Sequence, residues 1–180
     1  MASSMRTPPR DPAVDVYAAA RAAHDRRWSD RKIVTEAARY LGAISILLVG
    51  GVHAQQYYDA YFSVVPTIGT LFLLSFIGAG IVGTVLIAPV QLLGRLVGAA
   101  ALVLAALGAI GIAVGTFVSL VISEYMPLFG FMESGYRLAI VLTLLFDVMT
   151  TVFLGVFLAM VTPEFVHAVS SRRLDSGSGW

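Results

Sequence analysis

One acidic residue in the last long apolar segment is the strongest candidate for chemistry in this sequence. Asp147 lies nine residues after Leu138, about 14 Å along a helix and near the middle of a membrane. A carboxylate there opposes insertion by about 2.5–3.5 kcal/mol and normally faces protein or a watery cavity. Helical spacing puts four hydroxyl groups on the same face: Tyr136, Thr143, Thr150 and Thr151. This polar stripe is typical of a proton or cation relay, of the polar end of a ligand cavity, or of a protonated acid bonded to a neighbouring helix.

A second polar set flanks the two long loops. His53 and Asp59 belong to the first loop region, and Glu124 and Glu133 belong to the second. One histidine with two or three carboxylates is a ligand combination for a metal ion, the only cofactor that this sequence suggests. The alternative is that Glu133 pairs with Arg137 at i,i+4, while the other groups are solvated or cap helix ends.

Composition and spacing argue against several other chemistries. The 180 residues contain no cysteine, which excludes disulfides, thiolate metal sites and cysteine nucleophiles. The string GAGIVG at 78–83 matches a dinucleotide motif, but it lies in an apolar helix whose amides are already hydrogen-bonded. The three histidines lie at different depths, which disfavours haem ligation, and no hydrolase or P-loop motif occurs. We therefore expect no catalytic residues, no enzymatic activity and no nucleic-acid binding.

Four long apolar segments must position the candidate groups. The chain is 58% hydrophobic and 13% charged, too apolar for an ordinary soluble domain of this length. A helix needs roughly 20 largely apolar residues to cross a hydrocarbon core of about 30 Å. Four segments approach or exceed that length: 37–54, 66–90, 96–122 and 138–162. The sequence therefore predicts an all-α fold, a four-helix transmembrane bundle in contact with a lipid bilayer.

The flanking sequences divide the chain into three predicted regions. Residues 1–36 form a cytoplasmic segment, partly disordered, with a short amphipathic helix that starts at Pro12. Ser29 and Asp30 then suit the start of the first spanning helix. Residues 37–163 form the bundle, and residues 164–180 form a flexible cytoplasmic tail.

Basic residues are distributed unequally between the two sides of this predicted bundle. Residues 1–40 contain eight of the twelve Lys and Arg residues, and Arg95, Arg172 and Arg173 lie on the same side. The opposite side has only Arg137. This asymmetry predicts that both termini are cytoplasmic. The excess of arginine over lysine, eleven to one, is typical of GC-rich bacterial coding, so we expect the bacterial inner membrane.

Small residues recur at intervals along the third apolar segment. In lipid, helices associate chiefly by close packing over small side chains, because there is little hydrophobic force between them. The sequence therefore predicts helix packing, within the bundle or against a second copy, at five residues: Gly94, Gly98, Gly111, Gly115 and Ser119.

Short aromatic and apolar motifs resemble those of a known group of proteins. His53 precedes an aromatic loop, the string PTIGTLFL begins at Pro66, and the string LFGFME occupies 128–133. In these motifs the chain resembles small four-span integral membrane proteins of high-GC Gram-positive bacteria. The resemblance covers residues 38–162. It implies a four-helix membrane topology, draws attention to His53 and Glu133, and implies no activity.

Three functions are consistent with these features. The first expectation is a non-enzymatic accessory subunit that binds another membrane protein, or a second copy of itself, through its aromatic loops or intramembrane faces. The alternative is a small transporter or ligand-binding membrane protein that uses Asp147 as a relay or cavity residue. The second alternative is a redox-associated subunit with a metal site on its outer face.

A pair of topology reporters tests the predicted orientation. Fused after Trp180, green fluorescent protein should fluoresce and alkaline phosphatase should be inactive, because both termini are expected inside the cell. Fused after Asp59, the same two reporters should give the opposite pattern. Phosphatase activity after Trp180 would contradict the predicted orientation.

Overall fold

The computed structural model describes residues 12–59, 64, 66–126 and 138–176. They form the helices α1 (Pro12–Asp59), α2 (Pro66–Ile87), α3 (Arg95–Tyr125) and α4 (Leu138–Ser176), with a 3₁₀ helix at Val90–Leu93. No strand occurs in these ranges. Four segments are long and apolar enough to cross a membrane: Ala23–Asp59, Thr67–Ile87, Leu96–Tyr125 and Leu138–Thr162. For this part of the chain, the prediction of an all-α four-helix bundle is confirmed.

The first and last helices are longer than predicted. α1 begins at Pro12 and runs without a break to Asp59, so the prediction of a separate short helix before Ser29 is wrong. The sequence contains neither glycine nor proline between Pro12 and Gly42, and nothing in it interrupts the helix. α4 continues to Ser176, well into the segment that was predicted to be a flexible tail.

The chain divides between Val34 and Thr35 into two compact units. In the first unit the described side chains of α1 are exposed, including Trp28. The ammonium group of Lys32 lies 5.3 Å from the centre of the Trp28 ring, a cation–π distance. The second unit contains the rest of α1 together with α2, α3 and α4.

Glycines bring α1 and α2 into close contact. A Cβ atom on Gly83 of α2 would lie 2.6 Å from a methyl carbon of Leu47 in α1. A Cβ atom on Gly50 of α1 would lie 2.9 Å from the Cβ atom of Ala79 in α2. These approaches are possible only because both glycines lack a side chain, which is the usual basis of helix association in lipid.

Similar contacts complete the ring of helices. Gly42 of α1 lies against the side chain of Leu154 in α4. Gly78 of α2 faces Ile112 of α3, with 3.0 Å between an ideal Cβ position and the Ile112 Cδ1 atom. α3 also packs against α4. Each helix therefore contacts two neighbours, in the order α1, α2, α3, α4 around the bundle.

The side chains are sorted by size between the interior and the surface. α3 contributes mainly alanines to the core, among them the buried Ala105, Ala106 and Ala109. Large aliphatic side chains lie outside, for example Leu104, which is 69% exposed, and Leu74, which is 59% exposed. A soluble protein rarely exposes so much contiguous apolar surface, whereas contact with a lipid bilayer accommodates it.

Two of the glycines predicted to pack on α3, Gly111 and Gly115, make no close contact with the described residues. A methyl group on Gly111 or Gly115 would meet no atom within 4 Å. Gly94 precedes α3, where its φ of 93° turns the backbone out of the 3₁₀ helix, so its role is conformational. Gly98 is buried, and Ser119 is exposed. Packing of this face against a second copy stays a prediction.

Two adjacent glycines allow a controlled test of the α1–α2 contact. Gly50→Ala should lower the free energy of unfolding by about 1–3 kcal/mol, because its methyl group would overlap Ala79. Gly51→Ala is the control, since nothing lies within 4 Å of its Cβ position, and it should be neutral or stabilise the helix by up to about 1 kcal/mol. Unfolding by SDS titration in mixed micelles measures both. Equal effects of the two substitutions would contradict the close contact.

Candidate functional site

His53 is buried near the C-terminal end of α1. It is 4% exposed, and its ring lies edge-on to Phe72 of α2, with 5.2 Å between the ring centres. Its Nδ1 atom lies 2.8 Å from the carbonyl oxygen of Val49. Because a carbonyl oxygen only accepts hydrogen bonds, Nδ1 carries the proton, and Nε2 is an acceptor in the neutral ring. Nε2 makes no hydrogen bond with the described residues.

His53 lines a cavity between α1, α2 and α3. The cavity has a volume of about 380 Å³, within the usual range for sites that bind small molecules. Its apolar wall includes Ile68, Leu71, Phe72, Ile112 and Leu120. Its hydroxyl groups belong to Ser75, Thr116, Ser119 and Ser123. This mixture of a large apolar wall and a few polar groups suits an amphipathic ligand.

Two glycines of α3 leave space for the cavity. Gly111 and Gly115 both line it, and ideal Cβ atoms built on them have open space around them. They follow each other at four-residue spacing and therefore lie on one face of α3. Two of the glycines predicted to pack against a helix thus border a cavity, as does the predicted packing residue Ser119.

Thr116 connects the cavity to Asp147. Its hydroxyl group lies 2.9 Å from Asp147 Oδ2 across the α3–α4 contact. The same hydroxyl lies 3.0 Å from the carbonyl oxygens of both Ile112 and Ala113 in its own helix. A hydroxyl has one proton and two lone pairs. Thr116 can therefore donate to an ionised Asp147, or accept a hydrogen bond from a protonated one while donating to its own helix.

Asp147 lies inside the bundle, as its depth in the sequence predicted. It is 1% exposed, and Thr143 and Thr150 on the same helix are also buried. Thr143 donates to the carbonyl oxygen of Ala139, and Thr151 donates to the carbonyl oxygen of Asp147. Within the described ranges, Asp147 Oδ1 and the Thr150 hydroxyl have no hydrogen-bond partner. The interhelical partner of the stripe is thus Thr116, and the predicted member Tyr136 lies outside the described residues.

The residues predicted to bind a metal are only partly described. Asp59 is exposed at the end of α1, and His53 is buried. Glu124 of α3 is half-buried, and its Oε1 atom has no hydrogen-bond partner in the described part of the chain. No group of three or more His, Cys, Asp or Glu that could hold a metal ion occurs among the residues searched. Glu133 lies outside them, so the four-residue site stays a prediction.

Arg39 is a further buried polar residue, which the sequence did not single out. It is 2% exposed, and its guanidinium group lies 4.5 Å from the centre of the Tyr40 ring. Its Nη2 atom donates to the Tyr40 hydroxyl at 2.7 Å and lies 3.4 Å from Glu36. These partners are all within one turn of α1, so Arg39 belongs to a local cluster and not to the cavity.

No protein-family model, curated protein or solved structure matches this chain. The geometry of the cavity and of the Thr116–Asp147 pair therefore defines the candidate site.

A double-mutant cycle tests the hydrogen bond between α3 and α4. Thr116→Val and Asp147→Ala should show a coupling energy of about 0.6 kcal/mol and at most about 1.7 kcal/mol, the average and the maximum measured for hydrogen bonds between membrane helices. The control pairs Asp147→Ala with Thr84→Val, because the exposed Thr84 hydroxyl donates only to Gly80 in its own helix. That pair should be additive. SDS titration measures all variants, and additive effects for Thr116 and Asp147 would contradict their contact.

Proposed function

We propose that the protein is a membrane-embedded ligand-binding protein whose cavity takes up a small amphipathic molecule. The observation that carries the proposal is a buried histidine, with one ring nitrogen unpaired among the described residues, beside a cavity with an apolar wall and several hydroxyl groups. His53 Nε2 makes no hydrogen bond with the described residues, and a ligand in the cavity would supply a donor to it.

Asp147 is the second polar element of this proposal. It does not line the cavity among the described residues, but Thr116 belongs to both the cavity wall and the Asp147 hydrogen bond. An ionisable residue inside a membrane is costly, and it commonly faces the protein interior or marks a ligand or ion pathway. We assign Asp147 the role of a residue behind the cavity, which fixes the position of the Thr116 hydroxyl.

The charge distribution supports a location for this activity. Eleven of the twelve Lys and Arg residues lie in residues 1–40, in the turn after the second apolar segment, or after the fourth, which favours cytoplasmic termini in a bacterial inner membrane. In that orientation the cavity lies in the outer half of the membrane. Binding of a partner protein and an outer-face metal site remain separate predictions, and neither has a comparably specific feature among the described residues.

Two glycine substitutions test whether the cavity binds ligands. The protein is placed in phosphatidylcholine nanodiscs and titrated with 4-hexylphenol, 4-hexylanisole, 4-hexylbenzylamine and 4-hexylbenzoic acid, with methyl NMR shifts of Ile68, Ile112 and Leu120 as the readout. At least one probe should bind saturably. Gly115→Leu should weaken that binding at least tenfold, since its side chain would occupy the cavity.

Gly155→Leu is the matched control for this experiment. Gly155 is also a helical glycine with nothing within 4 Å of its Cβ position, but it lies on the exposed surface of α4 and not in the cavity wall. It should leave binding unchanged. The absence of saturable binding by every probe, or equal weakening by the two leucine substitutions, would refute the proposal.

A further inference from the structure

Three polar groups in the cavity wall already donate their protons within the protein. His53 donates its Nδ1 proton to the carbonyl oxygen of Val49. Ser123 donates to the carbonyl oxygen of Leu120 at 2.8 Å. The Thr116 proton goes either to Asp147 or to a carbonyl oxygen of its own helix. All three groups therefore offer lone pairs to the cavity, and the ligand must supply the proton.

Two serines in the cavity wall offer the complementary hydrogen-bonding groups. Ser75 and Ser119 also line the cavity, and both are more exposed than His53. A serine hydroxyl can rotate to donate or to accept. The cavity wall therefore suits a ligand group that donates a hydrogen bond to His53 and accepts one from a serine. A hydroxyl group can do both.

The absence of charged side chains among the described lining residues narrows the ligand class further. The described lining residues include no lysine or arginine to pair with a carboxylate or phosphate, and no aspartate or glutamate to pair with an ammonium group. A buried ion without such a partner is strongly disfavoured. The wall thus favours a neutral molecule, and its apolar side chains, among them Leu71 and Phe72, favour a hydrocarbon body.

We infer that the ligand is an apolar alcohol or phenol whose hydroxyl group donates a hydrogen bond to His53 Nε2. This inference rests on the proposed function and adds the class of ligand and the residue that recognises it. His53 is then a specificity-determining residue, while Phe72 fixes its ring and Val49 fixes its tautomer.

The test compares a phenol with its methyl ether, which differ in the donated proton. In nanodiscs, 4-hexylphenol should bind about 5- to 100-fold more tightly than 4-hexylanisole, because the ether has no proton to donate to His53 Nε2. It should also bind more tightly than 4-hexylbenzylamine and 4-hexylbenzoic acid. In His53→Phe the phenol and the ether should bind equally, since phenylalanine keeps the ring but has no acceptor.

A spectroscopic readout in the unaltered protein covers the case in which His53→Phe does not fold. The ¹⁵N shift of His53 Nε2 should move toward hydrogen-bonded values on addition of 4-hexylphenol and stay unchanged with 4-hexylanisole. Equal affinities for phenol and ether, with binding still blocked by Gly115→Leu, would overturn hydroxyl recognition and leave the proposed ligand binding intact. Tightest binding by the amine or the acid would also overturn hydroxyl recognition. If no probe binds, both hydroxyl recognition and the proposed ligand binding are overturned.

Discussion

Helices surrounded by hydrocarbon have no water to satisfy their polar side chains, and this constraint shapes the hydrogen bonds of the whole bundle. Most intramembrane hydroxyl groups in the described residues donate to a carbonyl oxygen three or four residues earlier in their own helix. The donors at four-residue spacing include Ser45, Thr84, Thr143, Thr151 and Thr162. Even the His53 ring follows this pattern. Against this background, the Thr116–Asp147 bond stands apart because it joins two helices.

The same environment explains why small residues have two opposite roles here. Where a neighbouring helix comes close, as at Gly50 and Gly83, the missing side chain allows contact between α1 and α2. Where the neighbours stay apart, as at Gly111 and Gly115, the missing side chain leaves a cavity. Packing attraction alone would close such a gap, so its persistence depends on the tight contacts elsewhere in the bundle.

The architecture was predictable because it depends on length and composition. Roughly 20 apolar residues per span and one acid at mid-span are visible in the sequence, and both the four helices and the burial of Asp147 follow from them. The direction in which Gly111 and Gly115 face was not predictable, because it depends on the side chains of neighbouring helices.

His53 was expected at the outer rim, since the polar aromatic sequence after it suggested a loop. α1 instead continues to Asp59 and leaves His53 inside the bundle. Thr116 has no feature in the sequence that distinguishes it from other threonines. Its importance comes from Asp147, which lies opposite it in α4.

The glycine-lined wall of α3 also has a genetic consequence. Every glycine codon is one nucleotide away from an alanine codon and from a valine codon. A single mutational step at Gly111 or Gly115 can therefore add one or three carbon atoms and reduce the volume of the cavity. No neighbouring atom has to move to accommodate the first of these carbons. Related chains could therefore diverge in the size of molecule they accept while keeping the same helix arrangement, because the fold has space for an added methyl group at these two positions and not at Gly50.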